Sequence, residues 1–312
     1  MQNLQLSFEV VAPICFTMLL GLFLRKIKLI TENGVTFLNR LVFSLLLPLM
    51  LFFNISQAEL SGILNIDLFI WVAVSVIVLF LLLYLFVPKF EKDKKKIPVI
   101  IQGVYRSNFV IFGIPVAASL YGGENVAVVA LMVALVSPMF NIMAALVFAK
   151  YSSGRTTFAG ILKNIITNPL VIGSLLGLFA LFFHVSLPVF LEKPLAALGN
   201  SASTLGLLVL GAGFAIKKLQ ANARTLVFTV TGKLLLVPLI FLPLSILLGF
   251  RGVELIGLLV LYASPSALAG YTMATQVNAD GELAGQVIVL SSLFSVVTVF
   301  FAVLLLKSAA LI

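Results

Sequence analysis

The chain has 312 residues, 62% apolar and 10% charged, with a mean hydropathy of +1.21. A soluble domain covers its surface with about a quarter charged residues, so most of this surface must face lipid; the long alternating strands of an outer-membrane barrel are not seen. The net charge of +9 lies in short connections between apolar runs, the orientation signal of inner-membrane proteins, which makes nucleic-acid binding the poorer reading.

A bilayer takes about 20 mostly apolar residues per helix. The apolar runs place ten spans, at 6–24, 36–54, 66–87, 97–120, 124–149, 160–183, 195–216, 225–249, 254–276 and 281–306. Punctuation at Pro88, Gly122-Gly123, Gly154, Pro188 and Gly249 falls near their ends. The first run is followed, rather than preceded, by its basic residues Arg25 and Lys26, so it reads as a retained span and not a signal peptide. Fifteen basic residues fall on one side of these spans and only Lys193, Arg251 and Lys307 on the other. The rich side is therefore expected to be cytoplasmic, with both termini outside.

The chain also repeats. Glu124 precedes Ser137, and Glu282 precedes Ser295, by the same 13 residues; the offset of 158 also sets Arg106-Ser107-Asn108 over Ser264-Pro265-Ser266. Pro13 and Gly21 match Pro169 and Gly177 at nearly the same offset. A five-span unit used twice, over 1–150 and 159–312, must enter the membrane from opposite sides, because five is odd. Inverted repeats of this kind are typical of secondary transporters, whose substrate sits where the repeats meet. Ten ordinary helices with chance similarity are the alternative.

Two spans are expected to break. In span 4, Pro115 lacks a donor and collides with the preceding turn, and Gly113 loosens the backbone. Arg106, nine residues from Ile97, lies about 13 Å into the span, so Arg106, Ser107 and Asn108 form a polar patch near the bilayer centre. In span 9, Pro265 stands between Ser264 and Ser266. Freed backbone groups in lipid cost several kcal/mol unless they line a cavity or are buried in protein, so paired breaks point to a binding site. Its chemistry favours anions: helix N-termini and a guanidinium suit a carboxylate, while the acidic residues lie near span ends. A small organic anion is the expected cargo. Lys233 is the second charge within a span and reads as a gate, a counter-charge or a snorkelling side chain. No catalytic set, metal cluster or cofactor site is expected: Cys15 is the lone cysteine, and His184, the lone histidine, falls in an outer loop.

At these residues the chain resembles the auxin efflux carrier family, which includes bacterial malate and malonate permeases. The likeness rests on Leu47-Pro48 through Asn54-Ile55-Ser56, on Asn108 through Gly113-Ile114-Pro115 with Tyr121-Gly122, and on Ser264-Pro265-Ser266 leading to Asp280 and Glu282. It implies an all-α polytopic membrane protein with ten helices and both termini outside. It further implies a scaffold of spans 1, 2, 6 and 7, a mobile bundle of spans 3–5 and 8–10, and homodimerisation. Asn108 and the backbone around Pro115 and Pro265 would then meet a substrate carboxylate, and Asn54 joins the candidate site from its motif. The short link between spans 5 and 6 departs from the plant members and argues against auxin as cargo and against phosphorylation control. A sodium-coupled anion symporter of the bile-acid type, holding cations through Asn108, Asn125, Ser137 and Ser295, is the rival reading, followed by a passive channel.

Overall fold

The computed structural model describes residues 13, 16–57, 65–109, 126–151, 163, 166–185, 187–213 and 222–312. They fold as helices: α1 (16–26), α2 (Glu32–Ser56), α3 (Ile66–Phe90), α4 (Ile97–Tyr105), α5 (Val126–Tyr151) and α6 (Pro169–Phe182). There follow α7 (Val189–Ala212), α8 (Ala223–Leu247), α9 (Gly252–Ala263), α10 (Ala269–Gln276) and α11 (Gly281–Ser308). Among the described residues six helices are long and apolar enough to cross a membrane, namely α2, α3, α5, α7, α8 and α11, while α6 and α9 are shorter apolar helices. Side-chain caps fix several starts. Thr31, Asn65, Asn168 and Asp280 each accept a hydrogen bond from a first-turn N–H.

Polarity is inverted relative to a soluble protein. Large apolar side chains such as Leu85 on α3, Phe179 on α6, Leu239 and Leu247 on α8 and Leu305 on α11 are exposed. Arg106, Lys233, Gln102, Asn141, Asn222 and Gln286 are buried. Such a surface is stable only against lipid, and this is a multi-pass membrane protein.

Prolines shape two of the long helices without ending them. A proline ring collides with the carbonyl four residues back, and α2 and α8 each widen into a π-turn just before theirs. The turns span Val42–Leu46, ahead of Pro48, and Gly232–Leu236, ahead of Pro238. The closing bonds run from Leu47 N–H to Val42 O and from Val237 N–H to Gly232 O, five residues back.

The helices sort into two packing groups. In the first, α1, α2, α6 and α7 meet backbone to backbone at glycines: a methyl group at Gly211 would overlap the Met18 carbonyl, and one at Gly173 would sit 2.5 Å from the Pro48 carbonyl. Gly173 and Gly177, spaced one turn apart, let α6 lie against the Pro48–Ile55 stretch of α2. In the second, α3, α4 and α5 pack with one another and with α8–α11. The groups touch along α5 with α6, α2 with α5 and α2 with α10.

Candidate functional site

The site is made by two helices that stop in mid-course and pair. α4 ends at Tyr105, where Arg106 turns extended (φ −86°, ψ 112°), and α9 ends at Ala263, where Ser264 does the same (φ −63°, ψ 152°). The two extended segments run antiparallel and form a bridge between Ser107 and Ser266. Asn108 N–H donates to Pro265 O at 2.8 Å, and Ala267 N–H donates to Arg106 O at 3.3 Å. Each break thus supplies what the other lost, so the freed backbone groups are not left bare in an apolar core.

The serine hydroxyls complete the exchange reciprocally. Ser266 Oγ donates to Gly103 O in the last turn of α4 at 2.5 Å, and Ser107 Oγ donates to Leu261 O in the last turn of α9. Both acceptors are carbonyls of a helix C-terminus, which lack intrahelical partners. Ser266 N–H in turn donates to Ser291 Oγ on α11 at 3.1 Å. Ser264 Oγ is buried with no hydrogen-bond partner among the described residues.

The break in span 4 therefore falls at Arg106–Asn108, and α4 stops ten residues before Pro115. The physical reason is pairing: donors and acceptors at 103–108 are taken up by the other break. Gly113, Pro115 and Asn125 lie outside the described residues.

Two cations converge on the crossing. Lys233, in the π-turn of α8, is fully buried, and its Nζ donates to Ser107 Oγ at 2.5 Å. That burial excludes snorkelling, since the ammonium reaches the bridge rather than an interface. Arg106, also buried, donates through Nη2 to Asn141 Oδ1 on α5 at 2.6 Å and through Nη1 towards Met273 Sδ on α10 at 3.4 Å. No carboxylate pairs with either cation among the described residues, where the single ion pair is Arg25–Glu32, far along the chain from both.

Beside the bridge is a cleft of about 50 Å³, lined by Arg106, Ser107, Asn108, Ser137, Phe140 and the start of α10 at Ala267–Ala269 among others. The positive end of the α10 dipole therefore faces the cleft. A water needs roughly 10–15 Å³ of such space, so the cleft has room for only a few waters. Asn54 is half-buried one turn beyond the cleft-lining Met50 and Leu51 on α2. Ser295 is buried on α11, donating to Ser292 O at 2.7 Å, and does not line the cleft.

Asn141 was not singled out in the sequence, nor were Gln102 and Met273. An amide in the middle of an apolar span is costly unless used, and that signal was available for Asn141.

The crossing thus sets two buried cations at a paired helix break inside an apolar bundle. The protein is a membrane transporter and not an enzyme. It belongs to the membrane transport protein family, the auxin efflux carriers, whose model matches residues 6–303. The chain is similar to an uncharacterized transporter of Methanocaldococcus jannaschii, at 24% identity over 94% of this chain and 97% of the relative. It is also similar to an uncharacterized transporter of Methanothermobacter thermautotrophicus, at 26% identity over 94% and 96%.

Proposed function

We propose that the protein is a secondary carrier of a small organic anion, a mono- or dicarboxylate such as malate or malonate, working by alternating access across the cytoplasmic membrane. The observation that carries this reading is the pair of buried cations, Arg106 and Lys233, at a two-helix crossing that holds no carboxylate among the described residues. A charged arginine near mid-membrane costs about 2.5–3.5 kcal/mol on insertion scales, and an anion that arrives and leaves offsets it. A guanidinium, an amide at Asn108 and a helix N-terminus are together the chemistry of carboxylate capture.

The reciprocal serine bonds support a ten-helix, inverted-repeat carrier with 1–150 and 159–312 as its halves and the crossing as the symmetric centre, and the Lys/Arg bias supports both termini outside. The packing groups support a division into a scaffold, closed by backbone contacts at glycine, and a bundle that carries the crossing. Purified protein in proteoliposomes tests the reading: uptake is screened over mono- and dicarboxylates, with sodium and pH gradients imposed independently. Saturable carboxylate uptake is expected. Tight binding of an organic cation, with no carboxylate bound, would overturn it.

A further inference from the structure

Asn141 is buried at 0% exposure, and its side-chain amide is fully engaged. Its Oδ1 accepts from Arg106 Nη2 at 2.6 Å, and its Nδ2 donates to Ser174 Oγ at 2.7 Å and to Leu170 O at 3.3 Å, both on α6. The orientation of this amide is dictated by its neighbours. A guanidinium only donates and a backbone carbonyl only accepts, so the oxygen must face Arg106 and the NH₂ must face Leu170. Ser174 keeps its own bond to Leu170 O at 2.8 Å, so the α6 end of the chain does not depend on Asn141.

Two features make this more than packing. Arg106 lines the cleft, while Asn141, one turn on from the cleft-lining Ser137 on α5, does not line it. Asn141 also sits where the two packing groups touch, on α5 against α6. A carboxylate is a stronger acceptor for guanidinium than a neutral amide, so an anion entering the cleft competes for the same N–H groups.

We propose that Asn141 is a positioning residue that stands in for the cargo carboxylate in the empty carrier and ties Arg106 to α6. Anion binding draws the Arg106 fork off Asn141, and the loss of that bond loosens the crossing from α6 when, and only when, cargo is present. This rests on the anion reading above and adds a coupling between occupancy and movement.

The test compares Asn141→Ala with Asn141→Asp in purified carrier. Alanine removes the competitor for Arg106. Binding of radiolabelled malonate, or of the best carboxylate in the uptake screen, is expected to tighten about tenfold, while turnover in proteoliposomes falls. Aspartate gives Arg106 a permanent internal anion, so binding is expected to weaken more than tenfold in a protein that still folds. A merely structural asparagine would weaken binding in both variants, and that result overturns the proposal. A ligand-free measurement stands apart from cargo: spin-label distances between α5 and α6 should broaden in Asn141→Ala and in Asn141→Asp alike, because neither side chain keeps the NH₂ that bonds Ser174 Oγ and Leu170 O. Unchanged distances in Asn141→Ala would also overturn it. If no carboxylate binds the unmodified carrier, the anion reading fails, and the distance measurement still decides whether Asn141 ties α5 to α6.

Discussion

Ser107 and Ser266 face one another across an antiparallel bridge, and each hydroxyl closes the helix that leads to the other: Ser107 bonds Leu261 O and Ser266 bonds Gly103 O. The crossing is therefore a mutual cap. Neither break is held by its own strand of chain, and a change in one serine is felt by the opposite helix.

Ser266→Ala should leave Gly103 O buried without its hydroxyl donor, at a cost of about 1–3 kcal/mol. Ser266→Thr, which retains the hydroxyl, should lose less. Thermal unfolding in detergent reads the difference; equal stability in all three proteins would show that the cap contributes nothing.

Arg106→Ala and Asn108→Ala should each weaken carboxylate binding about tenfold, or about 1.4 kcal/mol. Arg106→Lys should restore binding only in part, because an ammonium cannot make the planar two-pronged contact of a guanidinium. Equilibrium binding to purified carrier checks both, and indifference to the two alanine changes would remove these residues from the site.

Lys233→Met should fold and express, since it replaces a fully buried ammonium in an apolar π-turn with a side chain of similar length. Transport should nevertheless fall, because the cation at the bridge is gone and Ser107 keeps only its acceptor at Leu261. Unchanged uptake kinetics would show that the ammonium serves the crossing mechanically, without meeting cargo.

The orientation is open to cysteine labelling at exposed positions. With both termini outside, cysteines replacing Lys94 and Arg224 should react only with membrane-permeant reagents. Cysteines replacing Phe183 and Leu248 should be labelled from the exterior. External labelling at position 224 would reverse the orientation.

What the sequence determined by itself was whatever is local. Apolar run length marked helical stretches in every span now described, and the burial of Arg106, Ser107 and Asn108 followed from polar residues standing in an otherwise apolar run. The signal reached Pro265 as the break in span 9, because that proline acts on its own turn.

Only the tertiary structure decided where span 4 stops, what Lys233 touches and why Asn141 matters. Each depends on a partner at least 29 residues away: Ser266 for Ser107, Ser107 for Lys233, Arg106 and Leu170 for Asn141. The polar run Arg106–Asn108 marked the place, while Pro115 lies outside the described residues. The helix ends at Tyr105 because a backbone leaves helical form in an apolar core where another chain segment can take its hydrogen bonds, and no local pattern names that segment.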